Sequence, residues 1–217
     1  MDLLSMVGMA TKRRGDYFAQ AEAQVKKIRS QEQLEAQMMH EASVLVKGLQ
    51  NKQIRWEEYE RSLLDKTLIS ALSAVYLGSK DNRPQEKMEK AWPTIVGDML
   101  PPLHDFLVTT KDAIDSGNIM IGDGTQEFAE IASWPGLLMR VIRYIANPSF
   151  SFFNLGQYYT HQDLGYKEMR RVPKLDSRTC PDCVNFGRLG WQPIGTLPMP
   201  GRQCRCYDRC RCSIEYR

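Results

Sequence analysis

Residues 176–212 read DSRTCPDCVNFGRLGWQPIGTLPMPGRQCRCYDRCRC, with thiols at Cys180 and Cys183 and again at Cys204, Cys206, Cys210 and Cys212. This stretch decides the fold. It holds all six cysteines of the 217-residue chain, and the first 179 residues contain none. A C-x-x-C pair lets two thiolates reach one ion from a single tight turn, and Pro181 helps to set that turn. After 20 further residues a second cysteine cluster can complete a tetrahedron around Zn2+. The loop between them contains WQPIGTLPMPG (191–201), stiff with proline and glycine and too small to bury much apolar surface. A structural metal supplies the missing folding free energy, on the order of 10 kcal/mol in small zinc modules. Cys180, Cys183, Cys206 and Cys210 are the assigned ligands. Cys204 and Cys212 can substitute for either of the last two, so the choice among the final four cysteines stays open.

Six is an even number, so three disulfides are the competing reading. The N-terminal MDLLSMVGMATKRR (1–14) places its charges after a very short apolar patch, the reverse of a secretory signal. The expected compartment is therefore a reducing cytoplasm, which favours zinc over disulfides. A catalytic zinc keeps an open position and usually recruits His, Asp or Glu. His40, His104 and His161 all lie far from the cysteines in sequence. Glu57 and Glu58 read as a solvated helix face. There is no glycine-rich phosphate loop, nucleophile elbow or informative carboxylate pair. The expectation is a protein that is not an enzyme and takes no small-molecule substrate.

Working outward, the tail is basic. From Lys167 to Arg217 there are 11 Lys and Arg against 5 Asp and Glu, a net of +6, leaving 18 against 21, a net of −3, for residues 1–166. Arg178, Arg188, Arg202, Arg205, Arg209, Arg211 and Arg217 either contact phosphates or offset the charge of a tetrathiolate site. The spacing fits no sequence-reading zinc finger, so any DNA contact through the tail is non-specific. With 42% hydrophobic and 25% charged residues, the chain is not wholly disordered. The most apolar stretches are 68–77, about half the ~20 residues a bilayer needs, and 131–146, which carries Arg140 and Arg143. No membrane partner is expected.

Upstream of the tail the pattern is helical. Asp16–Lys47 has no proline and no glycine, and Phe18, Ala21, Val25 and Ile28, then Met38 or Met39, Ala42, Leu45 and Leu49, recur on one face. The spacing predicts one long helix packed on its own chain, with Asp16 as N-cap and Gly48 as stop, although Ser30–Gln33 leaves a polar gap. A second helix is predicted from Ile54 to Leu77. A third, Gln85–Ser116, is expected to break at Pro93 and at Pro101–Pro102. A fourth opens at Asp123 after the IGDG turn (121–124), is interrupted by Trp134-Pro135-Gly136 and resumes over Leu137–Ala146. SFSFFNLGQYY (149–159) reads as β-prone, and GYKEMRRVPKL (165–175) as a short strand. Five of the 11 prolines fall from Pro173 onward, which leaves no room for a long helix there. The fold expectation is mainly α: a long-helix body over 1–150, and a small β-hairpin, zinc-ribbon-like module over 151–217.

Residues 165–216, GYKEMRRVPKLDSRTCPDCVNFGRLGWQPIGTLPMPGRQCRCYDRCRCSIEY, resemble the C-terminal module of the minor head, or head morphogenesis, proteins of tailed bacteriophages of the Mu F-like type. The shared pattern is a strand, a D-x-x-T-C-P-x-C turn (here Asp176–Cys183), a proline-rich loop, and a C-R-C (Cys210–Cys212) before a last strand. GLQNKQIRWEEYERSLLDKTLISALSAVYLGSKD (48–81) and LHDFLVTTKDAIDSGNI (103–119) are similar to helical segments of that family. Several members end in a His-containing motif where this chain has Cys206, and Cys204 is a further departure. The resemblance implies a structural component of the virion head near the portal vertex, assembled in the host cytoplasm. It would partner portal, capsid and scaffold proteins in head assembly and genome packaging or release. The alternative from the residues alone is a zinc-stapled nucleic-acid-binding protein.

Overall fold

A computed structural model of the chain describes residues 1–28, 30–79, 82–116, 134–146, 148–201, 203–206 and 210–217. Among these lie eight helices: α1 (Leu3–Lys12), α2 (Arg14–Val25), α3 (Gln31–Gln50), α4 (Trp56–Ser79), α5 (Pro84–Asp115), α6 (Trp134–Ile145), α7 (Pro148–Asp163) and α8 (Pro181–Arg188). Three short strands, β1 (Glu168–Val172), β2 (Gln192–Pro193) and β3 (Ser213–Tyr216), form an antiparallel sheet in the order β2-β1-β3. The protein is thus mainly helical, with a small sheet and a cysteine cluster at its C-terminal end. Among the described residues no helix is long and apolar enough to cross a membrane.

The centre of the body is α4, which packs against α2, α3, α5, α6 and α7. Its sequence explains that position. Leu63, Leu64, Leu68, Leu72 and Val75 are buried, and so are the small residues Ser70, Ala71, Ser73 and Ala74, so most of the helix beyond its first turns is covered. The buried small residues let neighbouring helices approach. The closest approach is to α7: a Cβ on Gly78 would lie 2.1 Å from the Phe153 carbonyl oxygen, and one on Gly156 would lie 2.3 Å from the Val75 carbonyl oxygen. Both positions are glycine, which lets the two backbones touch. The body is tied further by Asp65 on α4, which accepts from Arg13 (2.8 and 3.0 Å) and from the Tyr17 hydroxyl (2.8 Å).

Several expectations are corrected here. The single helix over 16–47 is two. Ser30 sits in the polar gap and caps α3, its hydroxyl accepting from the Gln33 amide at 3.3 Å. Asp16 lies in the first turn of α2 instead of capping it. Gly48 does not stop α3, which runs to Gln50, and Lys52 carries the left-handed φ of 57° in the following turn. An unanticipated α1 opens at Asp2, which accepts from the Ser5 amide and hydroxyl, both at 2.8 Å. The third helix is not broken by its prolines. Pro93, Pro101 and Pro102 are all exposed, and water can satisfy the carbonyls left without an amide partner. Met99, Leu103, Phe106 and Leu107 remain buried along the opposite side. Trp134-Pro135-Gly136 forms the first turn of α6 instead of interrupting a helix. The IGDG turn and the helix start at Asp123 lie outside the described residues.

The largest correction is α7. SFSFFNLGQYY is helical, not extended. Its aromatic β-propensity is overridden because Pro148 can open a helix and Gly156 fits the groove beside Gly78 on α4. The boundary expected at residue 150 therefore falls inside a helix, and among the described residues the first strand begins at Glu168. Lys87, buried on α5, pairs with Asp163 at the end of α7. His161 then stacks on Tyr216 of β3 at 4.1 Å, which joins the body to the sheet.

Candidate metal centre

β1 is the spine of the C-terminal module. It pairs Met169 with Tyr216, Arg170 with Glu215 and Arg171 with Ile214 on one side, and Glu168 with Pro193 on the other. Alternation puts Met169 and Arg171 on the buried face and Arg170 on the exposed one. Met169 joins Leu197 and Met199 in an apolar cluster of only three buried residues, lined by Tyr158 and Tyr216. So small a core cannot hold the segment by itself. The second cluster is made of sulfur: Cys183, Cys204, Cys210 and Cys212 are buried, with Cys180 and Cys206 half-buried beside them.

Local structure delivers each thiol. Cys180 is the N-cap of α8, Pro181 its first residue, and Cys183 completes the first turn. The D-x-x-T preceding it is a turn, with the Thr179 amide donating to the Asp176 carbonyl at 3.0 Å and the Arg178 amide to the Asp176 carboxylate at 2.9 Å. Asp176 also receives Arg211 through two bonds of 2.6 Å, which draws Cys210-Arg211-Cys212 onto that turn. The bidentate Arg211 contact holds the Asp176 carboxyl well below the usual carboxylate range. Asp182, in the first turn of α8, accepts the Arg205 amide at 2.9 Å and so hooks the Cys204–Cys206 segment over the helix start.

The sulfur atoms of Cys183, Cys204, Cys206 and Cys210 all lie within 4.8 Å of one another. Cys183 is 3.4 Å from Cys206 and 3.8 Å from Cys210, and Cys204 is 3.4 Å from Cys206. A tetrahedral ion with metal–sulfur bonds of about 2.3 Å requires sulfur–sulfur edges of about 3.8 Å, so the donor set fits. A disulfide would need about 2.0 Å, and all six cysteines are free thiols. Of the four expected ligands, Cys183, Cys206 and Cys210 belong to this group. Cys204 stands where Cys180 was expected, and Cys180 abuts the group at 3.4 Å from Cys183 and 3.5 Å from Cys206.

Sequence reasoning missed a second participant, Arg171. Its side chain is buried, yet among the described residues no ion pair to a carboxylate meets it. One guanidinium nitrogen, Nη2, reaches the sulfurs of Cys210 (3.1 Å), Cys204 (3.3 Å) and Cys183 (3.5 Å). The other, Nη1, donates to the Pro198 carbonyl at 3.2 Å, and the group lies over the Phe186 ring. A buried cation needs a compensating charge, and among the described residues the candidates in contact are sulfurs. Burial opposes the charge on Arg171, but the hydrogen bonds it donates to Cys204 and Cys212 outweigh this and raise its pKa. The Cys210 thiol is lowered, first by its bond with Cys212 and also by Arg171. Burial instead raises Cys183 and Cys206. Arg171, which is outside the set of tail arginines expected to offset thiolate charge, thus touches these sulfurs directly. The signal was the period of two in KEMRRV, which places Arg171 on the same face as Met169.

The histidines stay away from this cluster. His161 on α7 meets the Gln157 carbonyl at 2.7 Å, and His104 lies 3.5 Å from Asp105. Glu57 and Glu58 are solvated at the start of α4, where Glu58 accepts the Arg55 amide at 2.9 Å. No protein-family model, curated protein or solved structure matches this chain.

Proposed function

We propose that this protein is a non-catalytic structural component of a tailed-phage head, acting near the portal vertex in head assembly and genome packaging or release. Zn2+ is the resident ion of its thiol cluster. The observation that carries this reading is the convergence of the two halves of the quoted motif. The Asp176–Cys183 turn and the Cys210-Arg211-Cys212 ending meet at one group of sulfurs and are locked by the Arg211–Asp176 pair. An all-thiolate, tetrahedral donor set selects a soft ion and closes its coordination, which is the character of a structural zinc. When bound, the ion cross-links α8, the Cys204–Cys206 segment and the approach to β3. Cys183, Cys204, Cys206 and Cys210 hold it, and Arg171 offsets the −2 charge of the tetrathiolate.

The helical body would then face portal, capsid or scaffold proteins. Met39 and Val44 on α3 and Met139 on α6 are apolar and exposed, in keeping with a contact surface. The nucleic-acid reading is less well supported. Arg170, Arg205, Arg211 and Arg217 are each engaged with an acidic residue of the chain, which leaves less of the tail's charge for phosphates. The test is co-expression with the portal protein of the same phage, followed by mass spectrometry of purified heads. Low-copy association with portal-containing particles is expected. Heads that are complete and infectious without this chain would overturn the assignment.

A further inference from the structure

The geometry points to a second metal ion in the cluster, bound by Cys180, Cys183, Cys206 and Cys212 and sharing the Cys183–Cys206 edge with the first. This deepens the zinc reading above and rests on it. A tetrahedral ion uses four sulfurs, but six thiols are gathered here, and the two left over are not scattered. Cys180, Cys183 and Cys206 form a nearly equilateral triangle with edges of 3.4, 3.4 and 3.5 Å, close to the face of a metal–thiolate tetrahedron. Cys212, which lines the same cavity as these three, supplies the fourth corner. A separate observation marks the same place: these four cysteines line a cavity of about 10 Å³, the size of one small particle. Cys204 and Cys210 do not line it, so it is distinct from the first tetrahedron.

The charges are consistent with two ions. As two Zn2+ enter, six thiols each lose a proton, six protons leave to solvent, and the Zn2S6 unit carries −2. Arg171 contacts the inner sulfurs, while Lys174, Arg178 and Arg211 line the outer cavity. One ion would leave Cys180 and Cys212, half-buried and buried, without a metal beside this positive rim. In the two-ion arrangement Cys183 and Cys206 bridge, Cys204 and Cys210 complete the inner site, and Cys180 and Cys212 complete the outer one.

Native mass spectrometry of the reduced full chain, purified without chelator, counts the ions. Two zinc ions per chain are expected. One ion would overturn the second site and leave the single-zinc reading standing, and no ion would overturn both. Cys180→Ser and Cys212→Ser should each lower the count from two to one, and either variant retaining two ions would refute the ligand assignment. Because a variant can misfold, cadmium-113 NMR of the wild-type protein gives an independent readout. Two cadmium signals are expected, and a single signal overturns the proposal.

Discussion

Replacing Arg171 by Met tests whether one strand residue holds the charge of the thiol cluster. Met keeps an apolar stem of similar shape and removes the guanidinium. The lost contacts are three to sulfur, at 3.1, 3.3 and 3.5 Å, and one to the Pro198 carbonyl at 3.2 Å. At an effective dielectric of about 20, a unit charge about 3.3 Å from a thiolate gains roughly 5 kcal/mol before desolvation. Burying the guanidinium cancels most of this. Groups that support metal ligands from behind typically contribute 10–100-fold in affinity, about 1.4–2.7 kcal/mol. The assay is competition for zinc with a chelator of known affinity, on the full chain. Arg171→Met should bind zinc 10–100-fold more weakly. Arg170→Met is the control. It removes the same charge from the next residue, but Arg170 points outward to Glu215 at 2.6 Å, and its affinity change should stay below about threefold. Equal loss in both variants would reduce the effect to general electrostatics, and no loss in Arg171→Met would refute the reasoning.

Three further outcomes follow from other parts of the structure. Gly156→Ala should destabilise the body by about 3 kcal/mol or more in denaturant unfolding, because its Cβ would meet the Val75 backbone at 2.3 Å. Gly97→Ala, with nothing within 4 Å of the new Cβ, should instead stabilise by about 0.5–1 kcal/mol. The depressed Asp176 carboxyl contributes stability that is present above its ordinary pKa near 3.8 and is lost as pH falls through its lower folded value. Hydrogen exchange of the module should therefore rise below about pH 4 in the wild type, and Asp176→Asn should exchange faster at neutral pH with a flatter acid response.

How much of this was legible depended on how local each signal was. The cysteine spacing is local, so the existence of a thiol cluster could be read directly. Which thiols face one another depends on the path of the loop between Cys183 and Cys204, and so the spacing left the choice among the last four cysteines open. Strand alternation could have revealed Arg171, but two adjacent arginines read as a charged surface until β1 has a sheet on both sides. The helices of the body were visible in their apolar period, whereas the break at Ser30 needed a cap to be recognised within a polar gap. α7 was misread because its Phe and Tyr residues favour strands in isolation. What makes it a helix is the non-local fit of Gly156 against Val75, more than 80 positions away in sequence. The prolines of α5 signalled breaks, and only their common exposure shows why the helix continues through them.

The central claim is that a metal–thiolate cluster, and not an apolar core, folds the C-terminal module. The most direct measurement is hydrogen exchange of the full reduced chain before and after zinc is removed by a chelator. Residues 168–216 should lose their protection on stripping and regain it when zinc is restored, while α4 (Trp56–Ser79) stays protected throughout. Protection of 168–216 that persists in metal-free, reduced protein would contradict the account.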